Sequence, residues 1–111
     1  MRTIFIFIIS VFFSVNAFSQ KVYSCDSKYD ADVKVYVADS KYDAHLVVYK
    51  CDSKYDATDN TGLWYFVDSK YDADKKIYFV DSKYDADLII YFSTSKYDAE
   101  WRDSAKKQLM Y

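Results

Sequence analysis

Proline is absent from this 111-residue chain, glycine occurs once, at Gly62, and histidine once, at His45. Tight two-residue hairpins draw on glycine for backbone angles that other residues resist, so a fold built from such hairpins is excluded. Cysteine is also scarce: Cys25 and Cys51, taken with His45, match no structural zinc spacing. No positive charge is in surplus, with 15 Lys and Arg against 17 Asp and Glu, and aspartate brackets nearly every lysine of the repeat described below. A phosphate backbone is gripped by clustered cations, so nucleic acid is excluded as a partner. The longest apolar run, Ile4 to Phe13, falls short of the ~20 residues of a spanning helix.

What stands at the N-terminus is a charged start (Arg2), that apolar run, and small residues at Ala17 and Ser19. This three-part order reads as a secretory signal peptide over residues 1–19, cleaved after Ser19; a membrane anchor or a core strand are the alternatives. Cys25 follows Val22-Tyr23-Ser24, which is no lipid-attachment box. The expected product is residues 20–111, one domain of net charge −3 once Arg2 is gone, exported to the periplasm, cell surface or medium, with no membrane span. A domain of this size buries only somewhat over ~60% of its unfolded surface, and aromatic side chains offset the small core.

The pentapeptide Ser-Lys-Tyr-Asp-Ala begins at Ser27, Ser40, Ser53, Ser69, Ser82 and Ser95, at spacings of 13, 13, 16, 13 and 13. Four residues before each serine stands a second tyrosine: Tyr23, Tyr36, Tyr49, Tyr65, Tyr78 and Tyr91. Valine, isoleucine, tyrosine and phenylalanine in short runs between polar clusters predict strands over 21–25, 33–38, 46–51, 63–67, 76–80 and 88–93. Strict alternation of apolar and polar residues is missing, so both faces of most strands should be covered and an open sheet with one wet face fits poorly. Each Ser-Lys-Tyr-Asp predicts a wide, self-bonded corner of type I or 3₁₀ geometry with lysine and aspartate paired in solvent. Thr58 to Gly62 adds three residues between copies three and four. The expected architecture is mainly β: six short strands in two sets of three, a pseudo-twofold object in which 21–57 and 63–99 interleave or face one another. Trp101, Ala105 and Leu109, four apart, predict a short C-terminal helix, acidic first and basic last.

Units of the form Val-Tyr-x-x-Asp-Ser-Lys-Tyr-Asp-Ala-Asp, clearest at 35–45 and 77–87 and with departures at 22–32, 48–58 and 90–100, resemble the septoil-knot domain family. The resemblance covers Val22 to Trp101. It implies a compact bacterial domain tied into a seven-crossing torus knot, an exception to the rule that chains do not thread their own loops, and it brings no assigned biochemical role and no catalytic residue. His45 and Thr58 depart from the trailing aspartate, Thr94 from the leading one, and Glu100 closes the last copy.

Sixfold repetition works against the unequal environments that catalysis requires, so the expected role is a non-enzymatic structural or binding module with no cofactor and no metal. The aspartate triplets Asp26, Asp30, Asp32 and Asp81, Asp85, Asp87 lack EF-hand spacing, and each includes a lysine that would repel calcium; turn capping explains them better. Cys25 and Cys51 occupy the same place in copies one and three, which leaves a disulfide or two buried thiols open. A hydrolase centred on His45 and Asp43 is the remote alternative. The leading alternative is a carbohydrate- or peptide-binding surface made of Tyr29, Tyr42, Tyr55, Tyr71, Tyr84 and Tyr97, with an envelope glycan or protein as partner. Against it stands the expectation that a small domain packs these six rings onto its core.

Overall fold

The computed structural model describes residues 20–111, so the signal-peptide reading lies outside the described residues. Seven strands alternate with seven 3₁₀ segments. The strands are β1 (Lys21–Ser24), β2 (Val33–Val37), β3 (Leu46–Lys50), β4 (Leu63–Phe66), β5 (Lys75–Phe79), β6 (Leu88–Ser93) and β7 (Glu100–Trp101). Between them lie the corners η1 (Lys28–Asp30), η2 (Lys41–Asp43), η3 (Lys54–Asp56), η4 (Lys70–Asp72), η5 (Lys83–Asp85) and η6 (Lys96–Asp98), with η7 (Ser104–Met110) at the end. The sheet runs β4-β1-β5-β2-β6-β3 and closes by pairing β3 with β4, and all six barrel pairings are parallel. β7 adds antiparallel to β3.

Parallel neighbours ordinarily need a long crossover to carry the chain back to the starting edge. Here the stagger removes that need. Ser24 at the end of β1 and Val33 at the start of β2 both face Ile77 of the intervening β5, so residues 25–32 only have to step over one strand. Each such step moves the chain two places round a six-place barrel, and three equal steps would return it to the place of β1. The extra residues between copies three and four carry β4 into the adjacent gap instead. The chain thus makes two laps, and the strands of the second lap seat between those of the first. Of the two expected arrangements, interleaved or face to face, the interleaved one is observed.

The turn into β4 requires glycine: Gly62 has φ +98°, and a Cβ there would clash with the carbonyl oxygen of Val47. Asp59 joins it at φ +42°. The insertion is tied down by Asn60, whose Nδ2 donates to the Lys107 carbonyl at 2.9 Å and whose carbonyl accepts from Trp101 Nε1 at 2.9 Å.

Inside the barrel, the residue before each strand tyrosine points to the axis. Val22, Val35, Val48, Trp64, Ile77 and Ile90 are all fully buried, together with Val33, Leu46 and Leu88. Each such side chain contributes roughly 1.5–3 kcal/mol by leaving water. Met110 of η7, also fully buried, joins this core. At the C-terminal mouth Phe66 and Phe92 pack at 6.4 Å, and the Lys50 ammonium lies 5.4 and 4.7 Å from their ring centroids.

Outside, every corner packs on a strand of the other lap: η1 on β5, η2 on β6, η3 on β4, η4 on β1, η5 on β2 and η6 on β3. That cover is why polar alternation is missing and why the six strand tyrosines are half-buried. The expected helix over 100–110 is corrected in part. Glu100 and Trp101 are drawn into pairing with β3, and the helical turn starts only after Asp103, which caps it by accepting from the Ala105 amide.

Candidate functional site

The six corners share one local construction. Each serine Oγ accepts from the amide of the tyrosine two residues on, at 3.2 Å in every copy, and each serine carbonyl accepts from the aspartate amide. The motif therefore fixes a capped single turn from its own atoms, as expected. Its lysine behaves otherwise than expected: the ammonium lies over the ring of the following tyrosine, 5.5–5.7 Å from its centroid in all six corners. Contact with the electron-rich ring face takes the place assigned to aspartate.

The corner tyrosines do not pack on the core. Tyr29, Tyr42, Tyr55, Tyr71, Tyr84 and Tyr97 are 74–88% exposed, which overturns the expectation that a small domain would bury them. The barrel interior is already filled by aliphatic residues and Trp64, and the turn geometry aims these rings outward. Tyr42, the least exposed, carries Arg102 at 5.3 Å over its ring.

Three of the six rings line grooves between adjacent corners. Tyr71 lines a groove of about 400 Å³ together with Asp26 and Asp30. Tyr84 lines one of about 420 Å³ with Asp39 and Asp43, and Tyr97 one of about 630 Å³ with Asp52 and Asp56. The strand tyrosines Tyr23, Tyr36 and Tyr49 line the same three grooves. A fourth groove sets Lys54 against Asp68 and Asp72. Volumes of this order are those of small-molecule sites. Tyr29, Tyr42 and Tyr55 stand on the corners outside these grooves.

Cys25 and Cys51 are separate buried thiols, one in each of two grooves. β4 lies between their strands, and two interstrand steps of ~4.8 Å exceed the ~7 Å that a disulfide spans between Cα atoms, so the structure does not form the bridge left open above. Burial, then the nearby carboxylate of Asp30, raises the thiol pKa of Cys25; burial, then Asp56 and Asp52, does the same for Cys51. Protonated thiols are poor nucleophiles and poor metal ligands.

The aspartate triplets are divided among different tasks. Asp32, Asp74 and Asp87 each use Oδ2 to accept a backbone N–H at the start of a neighbouring strand, from Lys76, Lys21 and Lys34, all at 3.0 Å. Asp26 and Asp30 turn to the groove instead. Among the described residues no group of three or more His, Cys, Asp or Glu could hold a metal ion. His45 takes the trailing position in copy two and does the same work as the aspartates: its Nδ1 accepts from the Ile89 amide at 3.0 Å. Burial and then Lys106 lower its pKa, against Asp103, so the ring is held neutral with its proton on Nε2. The hydrolase reading took this histidine for a base, whereas its acceptor nitrogen is committed to a backbone N–H.

Residues 19–102 match the 7(1) septoil knot domain, and the chain belongs to that family. No curated protein and no solved structure matches it. The sequence reading weighed Asp26, Asp30 and Asp81 only for calcium, Asp43 only beside His45 and the strand tyrosines only as strand residues, and missed that they line common grooves. The 13-residue period places them, but the walls of one groove come from corners three copies apart, an offset that only the two-lap winding creates.

Proposed function

We propose that the domain is an exported, non-enzymatic carbohydrate-binding module that uses its corner tyrosines. One observation carries this reading: six rings of the same motif stand 74–88% exposed on capped turns, three of them beside carboxylates. Six rings presented outward by one repeated motif are aromatic surface available to a partner. A flat ring offers a stacking face to the apolar side of a sugar, and a carboxylate accepts hydrogen bonds from sugar hydroxyls.

An extended peptide is the less favoured ligand. Peptides commonly add as a strand to an unpaired sheet edge, and every strand of this closed barrel has a neighbour on both sides. The test is calorimetric titration of residues 20–111 with a panel of soluble neutral glycans: xyloglucan, mixed-linkage glucan, galactomannan and chito-oligosaccharides. At least one should bind saturably, and replacing all six corner tyrosines by serine should abolish the heat while leaving the circular dichroism spectrum intact. No binding by any glycan, or binding that survives the six replacements, would overturn the proposal.

A further inference from the structure

We infer that the ligand is an uncharged polysaccharide held at several equivalent places at once, because the domain repeats one composite groove at least three times. The inference rests on the carbohydrate reading above and specifies its ligand. In each groove a first-lap corner supplies two aspartates and a second-lap corner supplies the lysine and tyrosine. The strand tyrosine, the two aspartates, and the serine, lysine and tyrosine of one groove are each shifted by 13 residues in the next. No groove exists until the laps are interlocked.

The chemistry of the walls sets the ligand class. The paired carboxylates of the first-lap corner only accept hydrogen bonds, so they select donors such as hydroxyls and repel uronate, sulfate or phosphate groups. The lysine of the second-lap corner stands over the ring of the tyrosine that follows it at 5.5–5.6 Å, and those rings, 87–88% exposed, are available for stacking. The three grooves differ at a few positions. Thr94 stands where the others have Asp68 and Asp81, so the groove of Tyr97 is the least acidic; it is also the most voluminous of the three.

Spacing makes the ligand a polymer. Successive grooves are two strands apart round the barrel and displaced along it by the stagger, a separation on the order of 15 Å from strand geometry. A chain of several sugar units reaches two grooves; a mono- or disaccharide does not. Once one groove is filled, the next binds the same chain at high effective concentration, so a polymer should bind about 100-fold tighter than its short oligomers.

The experiment compares each neutral polysaccharide of the panel with its disaccharide and with anionic polygalacturonate, by calorimetry on residues 20–111 and on Tyr71→Ser, Tyr84→Ser and Tyr97→Ser. The expected result is three or more disaccharide sites per chain, one fewer in each variant, a polymer affinity about 100-fold higher that falls roughly tenfold per groove lost, and no binding of polygalacturonate. One disaccharide site per chain, loss of all binding on a single replacement, or equal affinity for polymer and disaccharide would overturn the repeated-groove inference while leaving the carbohydrate reading in place. Binding of polygalacturonate as tightly as the neutral polymers would overturn the ligand class. Failure of every glycan, or saturable binding of oligolysine alone, would end both.

Discussion

His45 shows how one substitution can keep a contact and change its dependence on conditions. At the equivalent corners an aspartate carboxylate accepts the strand amide; here a neutral imidazole accepts it. Because burial holds the folded pKa of His45 below its ordinary value of 6.5, the stabilisation is present above pH 6.5 and is lost as pH falls through the folded value. Denaturation midpoints measured from pH 7.5 to 5 should therefore drop for the native chain and stay nearly level for His45→Asp. The sequence showed that His45 stands in for aspartate. Its link to Ile89 was hidden, since 44 residues separate two atoms that meet only where β3 is laid beside β6.

Strands and corners were legible almost residue for residue, because β-branched and aromatic runs and a serine-capped turn are both encoded locally. β7 was not: Trp101 fits a helical period, yet its indole N–H finds the Asn60 carbonyl and its backbone finds β3, and those partners outweigh a single turn of helix. The trailing aspartates act at this scale too, as staples from corner to strand. Asp87→Ala should cost about 1–3 kcal/mol, because the Lys34 amide loses its acceptor in a part-buried setting, whereas Asp87→Asn should recover most of it through its amide oxygen; urea denaturation distinguishes the two.

For the whole molecule, the three-residue difference between one spacing of 16 and four of 13 decides whether the barrel closes. Deleting Asp59, Asn60 and Thr61 would bring β4 to the place that β1 already holds, so the variant should show neither the near-UV dichroism of packed aromatics nor a cooperative melt. Strand direction and the two-lap path were beyond the reach of local pattern, for no residue type marks a parallel pair that needs no return crossover. The barrel pairings join β1, β2 and β3 only to β4, β5 and β6, never to one another. A nascent chain leaving the ribosome must therefore make β1, β2 and β3 in full before any segment can find a sheet partner in β4. The first lap waits unpaired for the second, and the barrel closes only when β6 has been made.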